Sequence, residues 1–249
     1  RLLGRRLTHV GNLSIDELLA RIQPYLTGDN EMGRRSIFPA RFVIHELLAK
    51  IGAADARGAL FTGADAMGRI DSVRLPRPSA TTAALTFSAR DSTSPVAGYL
   101  RNRARPFWFE PVQGGTVMYA QINALTRDPS MSFTAFCDSV FKAIERHRSD
   151  RLILDLRNNG GGDGTLAKTL VQRIIRTPHI NQRGHLFVVI GRTTFSAAVT
   201  LAAAHENETE ATFVGEPTGA PANHYGEPAR IELPRTGLRV SYSRLYWQN

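Results

Sequence analysis

Two loops hold the residues best suited to chemistry, DLRNNGGG at 155–162 and GRTTFSAA at 191–198. Each follows a short apolar run that reads as a buried strand, and each leads into a helical pattern. In open α/β sheets, loops at the carboxyl ends of strands are where sites usually form. Ser196, at a helix start, has its hydroxyl beside unpaired N–H groups and the positive end of the helix dipole, a setting that suits a developing oxyanion. Gly160, Gly161 and Gly162 carry no side chain, so their backbone N–H groups can come close to a substrate carbonyl. Together these features point to acyl transfer. Each also has a structural alternative. Ser196 can serve as an N-cap, worth about 1 kcal/mol without any catalysis, and the glycines can form a tight strand-to-helix turn.

Other chemistries fit less well. A dinucleotide fingerprint starting at Gly160 would need glycine where Thr165 stands, and no phosphate-loop motif follows. His45 and Glu46 begin a zinc-hydrolase pattern on a helix, but Ala49 occupies its closing position. Cys137 is the single cysteine, which rules out an intrachain disulfide and thiol-ligated metal sites and reads as a buried structural thiol. No metal or cofactor is expected. Glu216 can orient a base or bind substrate, or simply cap a turn as a loop carboxylate. The aromatic run Phe107, Trp108 and Phe109 can line a groove or pack a linker onto the core.

The 249 residues are 42% hydrophobic, enough for a sizeable core. The net charge of +9 raises nucleic-acid binding, but only Lys50, Lys142 and Lys168 among the 31 basic residues are lysines, and the arginines are scattered. Nucleic acid is therefore not an expected partner. The longest apolar runs are far short of the roughly 20 residues that span a bilayer. The chain starts at Arg1 without the apolar run of a signal peptide, so an upstream part is expected to have been removed or left out.

The elements that must position the two loops can be read from periodicity. Ser14 and Glu17 form a capping box ahead of Ile15, Leu18, Leu19 and Ile22, which predicts a first helix. A second helix is predicted over 40–51, with strands near 69–75 and 83–87. Residues 1–87 thus form a small helix-plus-strand region, and 88–113, rich in Arg, Ser, Pro and Gly, reads as a linker or surface loop. From 114 to 249 strands alternate with helices: strands at 117–122, 152–156, 186–190 and 211–214, and helices at 133–144, 166–175 and 196–204. This alternation predicts an α/β core with a mainly parallel sheet. Segments 231–233 and 238–242 read as a closing hairpin.

DLRNNGGG at 155–162, FSAA at 195–198 and VGEPTG at 214–219 resemble, in order and spacing, the C-terminal processing (tail-specific) serine peptidase family. The resemblance covers about 117–226. More loosely, 9–19 resembles the tail end of a PDZ-like module. The resemblance implies a crotonase/Clp-protease-like core of stacked βαβ units, with Ser196 as nucleophile. The Ala197 N–H and a glycine of the loop, Gly161 or Gly162, would form the oxyanion hole. It implies peptide or protein substrates and would fit a cell-envelope or secreted location. The chain departs from the family at the general base. Pro221 and Tyr225 stand where the family places its lysine and the glutamine that orients it. Lys168 is the only lysine that could approach, and it reads as a solvated helix residue. Some relatives, resembling the tricorn protease, take a histidine from the strand at 117–122, where this chain has Gln121. His224, beside the lost glutamine position, is the candidate substitute base, because imidazole titrates in the useful range; the alternative is an ordinary loop histidine. Three functions stay open: a serine peptidase with a nonstandard base, a catalytically inactive relative that binds peptide or another ligand, and a different acyl transfer on the same scaffold.

Overall fold

The computed structural model describes residues 2–77 and 96–249. The strand expected at 83–87 and the first residues of the expected linker lie outside the described residues. The chain divides into two compact units, one of Arg1–Thr27 with Arg34–Val96, the other of Gly28–Gly33 with Ala97–Asn249.

The first unit contains β1 (Arg6–Val10), β2 (Leu13–Ser14), α1 (Ile15–Ile22), most of α2 (Glu31–Arg41), α3 (His45–Lys50), β3 (Ala59–Ala64) and β4 (Ile70–Leu75). Its sheet has the order β2-β1-β3-β4 and is antiparallel throughout. Ser14 caps α1 as expected: Glu17 N donates to Ser14 Oγ, and Ser14 N donates to the Glu17 carboxylate. Leu18 and Ile22 turn into a core that includes Val10, Leu48 and Phe61. The helix expected over 40–51 is instead two, because Ile44 adopts extended geometry (φ −80, ψ 109) between α2 and α3 and Val43 faces solvent. Strands β1 and β3 were not predicted; both are short, and β3 carries Gly63 where a strand former would signal it.

The second unit contains β5 (Phe107–Val112), β6 (Val117–Ile122), α4 (Phe133–His147), β7 (Arg151–Asp155), α5 (Ala167–Ile175), β8 (Leu186–Ile190), α6 (Ala197–Glu208), β9 (Thr212–Gly215), β10 (His224–Glu232) and β11 (Arg239–Trp247). Five strands form one sheet in the order β5-β6-β7-β8-β9, with β6 to β9 parallel and β5 antiparallel at one edge. The fold is thus mixed α/β around a mostly parallel five-stranded sheet. Leu152, Leu154, Leu186 and Val188 alternate along β7 and β8 and are fully buried on one face of the sheet, while Ile153 and Phe187 on the other face are half-buried; Phe136, Ile144, Leu170 and Leu201 supply the helix side of the core.

Part of the segment read as linker is strand β5. Its Arg- and Pro-rich surroundings mask it, and Pro111 is tolerated because an edge strand need not donate every N–H. Phe107 and Trp108 are buried in this strand, which settles their role as packing rather than groove lining. The terminal hairpin β10–β11 is longer than expected, and His224 is the first residue of a strand and not part of a loop. Cys137 is buried on α4, where burial pushes its thiol up to about 12. Among the described residues no helix is long and apolar enough to cross a membrane.

Candidate active site

Strands β7 and β8 are parallel neighbours, with Asp155 in register with Val189. Their carboxyl ends therefore emerge side by side, which brings the glycine loop and the serine loop together. Several buried bonds lock the two loops. Thr194 Oγ1 donates to Leu156 O at 2.9 Å and accepts from Gly191 N at 3.0 Å. Phe195 N donates to Asn159 O, and Gly219 N donates to Thr194 O, which adds the third loop. At the start of the glycine loop, buried Asp155 accepts from the Tyr119 hydroxyl at 2.7 Å and from Arg157 Nε at 2.9 Å. Burial, and then the bond to Asp155, raise the Tyr119 pKa above its ordinary value. The Arg157 guanidinium in turn lies 4.4 Å from the centre of the Tyr99 ring.

Ser196 stands between β8 and α6 with φ 53 and ψ −129, a conformation that costs a non-glycine residue on the order of 1–3 kcal/mol. Its side chain makes no capping bond. The N-cap alternative is thereby set aside, because a serine spent on capping would hold the first-turn N–H groups. The close approach comes from Gly161 (φ 111), where a Cβ would stand 2.8 Å from Ser196 Cβ and 3.0 Å from Phe195 O. Gly162 (φ 133) is equally constrained, since a Cβ there would meet Leu125 O at 2.0 Å. A strained serine at a strand-to-helix turn is the geometry that lifts a nucleophile out of the chain.

Ser196, Ala197, Gly162 and His224 line one cavity of about 570 Å³. The N–H groups of Ala197 and Gly162 make no hydrogen bond among the described residues. Gly161 N–H, by contrast, is taken by Asn159 Oδ1 at 2.9 Å, so of the two expected glycines it is Gly162 that offers an open amide. His224 is almost wholly buried, and its Nδ1 lies 3.0 Å from Ala222 O. That carbonyl can only accept, so Nδ1 is the donor of this bond and Nε2 is the ring nitrogen not engaged in it. No hydrogen bond joins Ser196 Oγ to His224, although both face the same space; such bonds are often loose before substrate arrives.

Other expected residues lie elsewhere. Glu216 pairs with Arg192 through two hydrogen bonds and borders a separate cavity of about 440 Å³. Lys168 is exposed on α5 and does not line the Ser196 cavity. Gln121 is buried and engaged, donating to Tyr99 O at 3.0 Å and to Asn123 Oδ1 at 2.7 Å. Glu46, from the partial zinc pattern, binds Arg77 at 3.1 Å. Sequence reasoning missed Asp163, Thr200, Glu227 and Trp247, which also line the cavity. Thr200 carried a signal, one helical turn beyond Ser196. Glu227 and Trp247 carried none, because only the hairpin brings them there.

The fold resembles that of mature CPAF. This chain matches that structure over 96% of its length and 68% of mature CPAF, with a TM-score of 0.55 and 14% sequence identity. Two further structures match less closely. The photosystem II D1 C-terminal processing protease matches at 14% identity, with 96% of this chain and 57% of that one covered and a TM-score of 0.40. A candidate peptidase from Parabacteroides merdae matches at 18% identity, with 55% and 50% covered and a TM-score of 0.43. The chain thus spans only about half the length of these last two. No protein-family model and no curated protein matches it.

Proposed function

We propose that the chain carries the catalytic core of a serine peptidase of the C-terminal processing kind, one that has replaced the family's lysine with His224. The succession from β6 to β9 is compatible with the stacked βαβ units expected of that family. In this reading Ser196 Oγ attacks the scissile peptide carbonyl as its proton passes to His224 Nε2. The carbonyl oxygen, now an anion, is held by the N–H groups of Ala197 and Gly162. Collapse breaks the C–N bond, and the departing amine takes the proton from His224, leaving an ester on Ser196. Water, deprotonated by the same imidazole, hydrolyses that ester and restores the serine.

The observation that carries the reading is the combination at Ser196: a strained backbone, a hydroxyl not used for capping, and two open amides in one cavity. The test is labelling with a fluorophosphonate, beside Ser196→Ala and His224→Ala variants, followed by peptide mapping. Labelling of Ser196 that both variants lose supports the peptidase. The missing Ser196–His224 hydrogen bond favours a second reading, in which the cavity binds a peptide without cutting it. A folded, unlabelled chain that still binds peptide would select that reading.

A further inference from the structure

The cavity beside Ser196 runs against the charge of the whole chain. The protein has a formal net charge of +9, yet the cavity is lined by two carboxylates, Asp163 and Glu227, and by no lysine or arginine. Asp163 Oδ1 accepts from Thr165 N at 3.0 Å and from Thr165 Oγ1 at 2.6 Å. These bonds keep the Asp163 carboxyl below its usual range, with Arg127 as a weaker positive neighbour that does not line the cavity. Glu227 stands within β10 at φ 51, and its side chain makes no hydrogen bond or ion pair among the described residues. An exposed carboxylate held by a left-handed backbone position and left unpaired in a strongly basic protein is free to meet a cation from outside.

The third contributor is Trp247. Its indole lies directly on Gly226, where a Cβ would stand 2.6 Å from Nε1 and 2.7 Å from Cδ1. The bare glycine backbone thus admits the Nε1 edge of the indole, and Trp247 lines the cavity that also holds the two carboxylates. Carboxylates together with an indole face are the combination that selects ammonium and guanidinium groups over neutral or acidic ones.

The geometry points to a preference for a lysine or arginine side chain in the peptide segment that lies against Ser196. Turnover of such a peptide rests on the peptidase reading, but the preference itself is a property of binding and is tested separately. Calorimetric titration of the Ser196→Ala chain with acetyl-Ala-Ala-Arg amide, beside the same peptide ending in Leu or Glu, is the direct measurement. The arginine peptide is expected to bind roughly tenfold more tightly than the leucine one, with the advantage shrinking as salt screens the carboxylates. Glu227→Gln should reduce that advantage, and Glu227→Lys should shift it toward the glutamate peptide. In the chain with Ser196 intact, fluorogenic coumarin amides of the three peptides should show the same order in kcat/KM. Equal binding of the three peptides, a leucine preference, no binding of any, or an undiminished arginine advantage in Glu227→Gln would each overturn the inference. Labelling of Ser196 without cation selectivity removes this inference and leaves the peptidase reading, whereas cation-selective binding without labelling does the reverse.

Discussion

His205 offers a quantitative test of how α6 is packed. It lies fully buried in the last turn of the helix that Ser196 opens, and neither ring nitrogen has a hydrogen-bond partner. Burial lowers its pKa from 6.5 to about 4. The folded chain therefore resists protonation that the unfolded chain accepts below pH 6.5. The stability tied to the neutral ring is fully present above that pH. It falls as the pH drops toward 4 and is lost once both states are protonated. A shift of this size corresponds to about 3 kcal/mol in all, and about 2 kcal/mol of it is lost by pH 5. That is a large share of the roughly 5–15 kcal/mol that holds a typical domain together. His205→Leu removes both the titration and an unsatisfied N–H, so it should stabilise the chain by about 1 kcal/mol or more at pH 7. The measurement is urea unfolding of both proteins at pH 7 and pH 5. Carboxylates that titrate in the same range affect the two proteins alike, so the difference between them isolates His205. The wild type should lose about 2 kcal/mol relative to the variant between these pH values. Parallel losses in the two proteins would refute the reasoning, because they would show that His205 can be protonated inside the fold.

Gly161→Ala should place a Cβ against Ser196 at a positive φ; labelling by fluorophosphonate is expected to slow about a hundredfold or more, with the helical circular dichroism retained. Unchanged labelling would mean that the glycine loop does not set the serine's position. Thr194→Val removes a hydroxyl that joins Leu156 O to Gly191 N and should cost about 2 kcal/mol in denaturant unfolding, with a matching fall in reactivity at Ser196. Glu216→Gln should change stability by less than about 1 kcal/mol and leave labelling of Ser196 intact, since the half-exposed pair with Arg192 stands outside the Ser196 cavity. A large loss of labelling there would restore Glu216 to the site.

How much of this was legible in the sequence differs from element to element. The strand at Leu186–Ile190 matched residue for residue, and the capping box of Ser14 and Glu17 formed as expected. Both are local: a short β-branched run between turn residues, and two side chains three positions apart. The strand at Phe107–Val112 was hidden inside an Arg- and Pro-rich stretch, because what makes it a strand is pairing with β6 and not its own composition. The break at Ile44 was hidden for a similar reason, since apolar spacing alone carried the helical pattern across it.

The candidate site divides in the same way. The sequence by itself determined the two loops, the serine at a helix start and the glycines that let the chain approach it. These depend on residue identity and on short-range spacing. Only the tertiary structure decided that Ser196 is strained and uncapped, that Gly162 and not Gly161 leaves its amide open, and that Glu216 is spent on Arg192. It also decided that His224, Glu227 and Trp247 meet Ser196 in one cavity. Trp247 reaches Gly226 through the pairing of β10 with β11, a contact between residues far apart in the chain. Such contacts arise from register and packing, and no local pattern encodes them.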